Sequence, residues 1–233
     1  MDNMNQWNGA VRDLINSMAA AGQIGVCTFA QGDITGCEKV DFDDSSWERI
    51  LGKSVPINGI ETGSGGGRQE DTGLETRDWN MTCGEAALRK RLVYPSLVEG
   101  ISTAGAKIYI TMTILAPIQV FLDGEKIADF KYWGDTRKCE LVIDECHKEG
   151  QEKLLVLKTP KYDGDAYLGI YINCDVLEKK MIELSTALEQ LKFAEKLALM
   201  YGKKVSGYLD ELNAKLDAAA VKARDWDSID AQL

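Results

Sequence analysis

Histidine is nearly absent from this chain: His147 is the only one in 233 residues. A zinc site needs several His or Cys ligands at close spacing. The six cysteines (27, 37, 83, 139, 146 and 174) form no C-x-x-C pair that would complete one. The same scarcity leaves a serine nucleophile without a choice of base. His147 does follow a cysteine, in Asp144-Glu145-Cys146-His147-Lys148. Adjacent residues in a turn cannot easily face each other, so no thiol catalysis is expected there.

Long apolar runs are missing too. The uncharged stretch from Ile108 to Leu122 is 15 residues long and contains Thr, Pro and Gln. A bilayer-spanning helix needs about 20 mostly apolar residues. The first residues, MDNMNQWNGAVRDLINSM, lack the basic start and unbroken apolar segment of a secretory signal. A cytoplasmic protein with reduced, scattered thiols is the expectation, and in that setting the glycosylation pattern Asn80-Met81-Thr82 means little. Positive charge is also in short supply: the net charge is −10 and the pI about 4.8. Neither nucleic acid nor an anionic membrane is an expected partner, because both are bound through basic surface. Arg89-Lys90-Arg91 is the one tight basic cluster, and it reads as solvent-facing positions of a strand and loop.

What the chain does contain is centred on Lys107 to Phe130. Ile108, Ile110, Met112 and Ile114 alternate with Tyr109, Thr111, Thr113 and Leu115, the period of a strand with one face in a core. Ala116-Pro117 interrupts it, since proline has no amide hydrogen for a ladder. Ile118 to Leu122 and Glu125 to Phe130 then flank Asp123-Gly124, a dipeptide suited to a type I′ hairpin turn, with the hairpin tip in solvent.

Other strands are expected from Ile24 onward, at Ala87 to Tyr94, Arg137 to Ile143, Glu152 to Lys158 and Tyr167 to Ile172. Strands about ten residues apart with turn signals between them predict an antiparallel β-sandwich. Two helical regions flank it. Trp7, Val11, Leu14, Ile15 and Met18 make a helical stripe ended by Gly22. Leu177, Met181, Leu184, Leu188 and Leu191 make a longer one, followed after Gly202 by Val205, Leu209, Leu212, Leu216 and Ala219. The expected class is therefore mainly β with helical flanks. It divides into an N-terminal helix (1–22), a β-sandwich (23–174) and a helical hairpin serving as extension or linker (175–233). Asp225 to Leu233 carries no stop signature.

Candidate sites are few. Asp41, Asp43 and Asp44 do not match a calcium loop. Gly63-Ser64-Gly65-Gly66-Gly67-Arg68 lacks the Lys-Ser/Thr of a phosphate loop and reads as a surface loop. Carboxylate pairs able to hydrolyse glycosides arise by chance among 37 acidic residues, and none stands out. Trp79, Tyr132 and Trp133, with Asp135 beside them, have two readings: plugs for the sandwich edge, or flat rings on which a sugar stacks. They are the carbohydrate-contact candidates; no catalytic residue and no metal ligand is assigned.

In order, the chain presents Asp41-Phe42-Asp43-Asp44-Ser45-Ser46-Trp47, Arg89-Lys90-Arg91-Leu92-Val93-Tyr94-Pro95, Lys107-Ile108-Tyr109-Ile110, Val120-Phe121-Leu122-Asp123-Gly124-Glu125-Lys126-Ile127 and Glu149-Gly150-Gln151-Glu152-Lys153-Leu154-Leu155-Val156-Leu157. This order resembles the galactose-binding-like jelly-roll module at the N-termini of many glycoside hydrolases. With leucine-striped helices following, it is most similar to the N-terminal region of bacterial-type family 38 α-mannosidases. The resemblance implies a non-catalytic, carbohydrate-binding-like accessory region that supports a catalytic domain of the same polypeptide. Zinc belongs to that family's catalytic domain, whose motifs are not in this chain, so no cofactor is expected here. Whether the chain itself has enzymatic activity is left open, with no catalytic site recognised. Two alternatives stand beside this reading: an interaction protein dimerising through helices within 175–220, and a free-standing lectin.

Overall fold

The computed structural model describes residues 2–52, 84–114, 117–131, 139–162, 168–201 and 203–233. Helix α1 (Asp2–Ala20) leads into strands β1 (Val26–Gln31), β2 (Glu48–Leu51) and β3 (Gly84–Val93). A small hairpin, β4 (Leu97–Val98) and β5 (Ile101–Ser102), precedes β6 (Ile108–Ile114), β7 (Ile118–Leu122) and β8 (Glu125–Phe130). The last strands are β9 (Cys139–Asp144), β10 (Glu152–Tyr162) and β11 (Leu168–Cys174). Helices α2 (Asp175–Tyr201), α3 (Lys203–Lys215), α4 (Ala218–Ala223) and α5 (Trp226–Asp230) follow.

Antiparallel pairing assembles these strands into a six-stranded sheet, β2-β1-β3-β10-β7-β8, and a three-stranded sheet, β11-β6-β9. The proline break after β6 thus separates strands of different sheets: β6 is central in the small sheet, while β7 and β8 form the edge of the large one. Asp123 and Gly124 hold the positive φ values, 51° and 90°, that the hairpin turn requires. The turn is also tethered. Asp123 accepts the Leu154 amide at 2.8 Å through its side chain and donates its own amide to Leu154 O at 2.9 Å.

Period-two alternation sorts the strand residues. Leu88, Leu92, Val120, Leu155 and Leu157 of the large sheet and Ile108, Ile110, Met112, Ile170 and Ile172 of the small one are buried in a common core. That core continues without a break into the helices. It takes in Trp7, Val11, Leu14, Ile15 and Met18 of α1, the α2 seam Leu177, Met181, Leu184, Leu188 and Leu191, and Leu216, Val221 and Ile229. The α1 stripe and the Leu177–Leu191 seam are buried throughout; of the stripe that follows, Leu216 is buried, Leu209 and Leu212 are partly buried and Ala219 is exposed, while the side chain of Val205 lies outside the described residues. Mainly β with helical flanks is the class observed.

The last residues, which carry no stop signature in the sequence, are capped and tied down. Asp217 and Asp225 cap α4 and α5 by accepting backbone amides. Gln232 Oε1 accepts the Trp7 indole at 3.0 Å and the Asp217 amide at 2.8 Å. Trp226 Nε1 donates to Glu99 O at 2.8 Å, and the Glu99 carboxylate binds both Ser17 and Arg224. The β4–β5 turn therefore joins α1 to the C-terminal segment. Gly22 sits at another junction: a Cβ there would collide with the Tyr171 ring and the Ile172 carbonyl, to which the chain is held by Ile172 N donating to Gly22 O at 2.8 Å.

The shared core predicts that Leu184→Ala costs about 2–5 kcal/mol, the usual range for a buried Leu truncation. It should do so in a single cooperative urea transition, seen alike by far-UV circular dichroism and tryptophan fluorescence. Helix signal lost ahead of fluorescence would contradict a common core.

Candidate functional site

The basic cluster is not a solvent-facing group, and its three residues part company. On β3, Ala86, Leu88, Lys90, Leu92 and then Tyr94 share the inward phase, while Ala87, Arg89, Arg91 and Val93 share the outward one. Arg91 is half exposed and pairs with Glu152 at 2.8 Å, as a surface charge does. Arg89 is only 1% exposed, because residues 32–47 fold over the outer face of the large sheet. There Ile34, Cys37, Ala87, Phe121, Leu154 and Val156 form a second small core, with Phe42 and Trp47 packed against it.

Arg89 organises that cover. Its Nε donates to Asp44 Oδ2 at 3.0 Å, Nη1 donates to Lys39 O at 3.0 Å and to Cys37 O, and Nη2 donates to Phe42 O at 3.3 Å. The guanidinium also lies 5.3 Å from the centre of the Phe42 ring. Thr28, the cross-strand neighbour of Arg89, donates to the same Asp44 oxygen at 2.7 Å. Burial opposes ionisation of Asp44, but the Thr28 and Arg89 hydrogen bonds and the Arg89 charge outweigh it and hold the carboxyl below the usual range. The Asp-Asp-Ser-Ser-Trp turn and the Arg-Lys-Arg strand are thus two halves of one fastening. Its chemistry is structural.

A cavity of about 430 Å³ opens on the other side of β3. Its walls come from the start of β1, the end of β3, the ends of β6, β9 and β11, and the β9–β10 connection. Tyr94, Ile108, Ile143 and Ile172 give it an apolar body, and Gln23, Lys90, Arg91, Asp144, His147, Gln151 and Lys153 its polar groups. Lys90 Nζ donates to Val26 O at 2.9 Å, with no carboxylate in ion-pair contact among the described residues. Lys153 is paired with Asp123 at 2.9 Å.

His147 is 3% exposed and rigidly held. Its amide donates to Ala106 O and its carbonyl accepts the Gly105 amide, both at 2.9 Å. Tyr94 meets the ring edge-on, with centroids 5.9 Å apart. The Nδ1 to Asp144 Oδ2 distance of 3.7 Å is beyond a hydrogen bond. Nε2 is buried without a partner, and so is Gln151 Oε1. Cys146 is exposed while His147 is buried, so the two side chains enter different surroundings and form no nucleophile–base pair.

Trp79, Tyr132, Trp133 and Asp135, the carbohydrate-contact candidates, lie outside the described residues, as does the 63–68 glycine-rich segment. Among the described residues no group of His, Cys, Asp and Glu is placed to hold a metal ion, and no helix is long and apolar enough to cross a membrane. Sequence reasoning missed the cavity residues because a lone His147 completes neither a zinc set nor a catalytic pair. A signal was nevertheless present: Lys90 falls in phase with Leu88 and Leu92, and Lys153 with Leu155 and Leu157, which places charged residues on inward-facing positions.

No protein-family model matches the chain, and no curated protein does. Among solved structures, it is similar to a glycosyl hydrolase family 2 member from Bacteroides cellulosilyticus, at 19% identity over 64% of this chain and 20% of that one, with a TM-score of 0.40. A β-glycosidase from Bacteroides vulgatus is similar at 14% identity, over 64% of this chain and 19% of that one, with a TM-score of 0.40. A β-glucuronidase from Faecalibacterium prausnitzii is similar at 14% identity, over 58% of this chain and 20% of that one, with a TM-score of 0.37. The chain spans about a fifth of the length of each. The expected likeness to family 38 α-mannosidases finds no support in these neighbours. Likenesses this slight carry neither an activity nor a substrate to this chain.

Two measurements test the site's physical description. Arg89→Leu leaves the carbonyls of Cys37, Lys39 and Phe42 without their donor and should cost about 1–3 kcal/mol or more, while Asp44, which is partly exposed, falls back on water. Because Asp44 titrates low when folded, its contribution is present above the ordinary Asp value of about 3.9 and is lost as pH falls through the folded one. Asp44→Asn should therefore flatten part of the acid limb of a urea-stability profile; an unchanged limb would show that the carboxylate is not held. Burial pushes the Cys27 thiol up to about 12, with Lys90 opposing it, and also raises Cys37 and Cys174. Of these and Cys146, only Cys146 should react with maleimide in the native state, read by peptide mass mapping.

Proposed function

We propose that this chain is a non-catalytic accessory module of a glycoside-hydrolase-type protein, supporting a catalytic domain of the same polypeptide. The observation that carries this reading is the use made of the resemblance motifs. The Asp43–Trp47 turn, the Arg89 strand and the Asp123-Gly124 hairpin all make contacts that hold the sandwich together. The α-mannosidase type of the parent is the narrower part of the proposal and rests on the leucine-striped helices that follow the sandwich. Weak glycan contact is assigned to Trp79, Tyr132, Trp133 and Asp135, and a cytoplasmic location to the whole.

A second reading has its own observation. Phe193, Leu199, Met200 and Tyr201 of α2 and Tyr208 of α3 are exposed, beyond the stretch where α2 is buried. Such a surface suits either a neighbouring domain, as the accessory reading holds, or a second copy of the chain. Sedimentation of the purified chain separates them. A monomer supports the accessory reading, while a tight dimer that Phe193→Glu with Leu199→Glu dissolves supports a self-associating interaction protein.

The purified chain should leave aryl α-mannosides and aryl β-glycosides uncleaved at all accessible protein concentrations. Phenol release in proportion to chain concentration, retained through repeated chromatography, would overturn the non-catalytic reading.

A further inference from the structure

We propose that the cavity between the two sheets binds a small hydroxylated carboxylate, with Lys90 meeting its carboxylate and His147 and Gln151 its hydroxyls. This goes beyond the accessory reading and does not rest on it. The first ground is the pair of polar atoms without partners. His147 Nε2 and Gln151 Oε1 are both buried and both belong to residues lining one cavity. A buried polar atom left unpaired is a cost that folding alone gives no reason to accept, and two in one cavity ask for a common partner.

The second ground is the placement of charge. Lys90 lies on the core face of β3 between Leu88 and Leu92, where an aliphatic residue would complete the alternation. Its ammonium meets a backbone carbonyl and no carboxylate among the described residues. Lys153 enters the same cavity from β10, in register with Leu92, and is already neutralised by Asp123. Asp144 is the acidic residue of the lining, and its Oδ1 accepts the Cys146 amide at 3.1 Å, which fixes its orientation. Of the basic residues of the lining, Arg91 and Lys153 are paired with Glu152 and Asp123, and Lys90 is the one that no carboxylate among the described residues meets.

The ligand class follows from what these groups can accept. A hydroxyl both donates and accepts, so it satisfies His147 Nε2 in either tautomer and Gln151 in either amide orientation. A carboxylate meets Lys90 in a charge-assisted hydrogen bond. The isoleucines and Tyr94 offer apolar faces to the carbon chain. About 430 Å³ is within the usual range for a small-molecule cavity. Water would satisfy the two polar atoms but leaves Lys90 without a counter-charge.

The test is isothermal titration of the full chain with sodium D-gluconate and D-glucuronate, beside D-glucose, acetate and inorganic phosphate. Gluconate or glucuronate should bind, and glucose, acetate and phosphate should each bind more weakly. Lys90→Gln should weaken the binding about tenfold or more, the loss of one charge-assisted hydrogen bond. Gln151→Leu should weaken it too, while raising the melting temperature of the ligand-free chain, because it removes an unpaired buried acceptor. A purely structural glutamine would lower that temperature instead. Absence of heat with both acids would overturn the site. So would equal binding of glucose, acetate or phosphate, or undiminished binding to folded Lys90→Gln.

Discussion

The constraint on which this architecture depends is the burial of one arginine. Arg89 projects from the middle of the large sheet on the face that would otherwise meet water, and the chain answers by folding residues 32–47 over it. Backbone carbonyls of Cys37, Lys39 and Phe42 and the carboxylate of Asp44 converge on the guanidinium. A buried guanidinium is tolerable only when its donors are met and its charge is paired. The cover must therefore stay closed, and closing it buries Ile34, Cys37 and Phe121 as a second core. Both faces of the large sheet are thereby committed, one to this cover and one to the small sheet and helices.

The helices are joined to the sandwich as parts of the same core. α1 and α2 meet the small sheet through Tyr171, whose hydroxyl donates to Ala19 O at 2.8 Å, and Tyr109, whose hydroxyl meets Glu178. The last helices then close on α1 through Trp7, Gln232, Glu99 and Arg224. These links are polar and specific, and they fix where each apolar stripe lies. Among the apolar side chains that the packing leaves exposed, Phe193, Leu199, Met200 and Tyr201 group on the far part of α2, with Tyr208 on α3.

The two sides of β3 show how one strand serves two purposes. Arg89 points outward and has its charge and polar atoms engaged by the protein, so it is a fastener. Lys90 points inward to a cavity where it meets a backbone carbonyl but no carboxylate among the described residues, and where His147 Nε2 and Gln151 Oε1 lack partners; this is the set the proposed ligand would meet. A difference of one residue in sequence becomes a difference of face, because side chains alternate across a strand.

Most of the elements were legible in the chain because their causes are local. The alternation of Ile108, Ile110 and Met112, the positive-φ dipeptide Asp123-Gly124, and the leucine seam from Leu177 to Leu191 each follow from spacing along a few residues. The Asp caps at 217 and 225 have the same local cause, an acceptor side chain just before a helix. What only the tertiary structure decided is which charges are buried and which polar atoms meet. Arg89, Lys90 and Arg91 are alike in sequence, and their environments are set by residues 32–47, by the β9–β10 connection and by Glu152. His147 beside Cys146 suggested a question about catalysis; Ala106, Gly105 and Tyr94 turn the histidine inward and leave the cysteine in solvent. Periodicity is a property of neighbours in the chain, whereas desolvation is a property of neighbours in space.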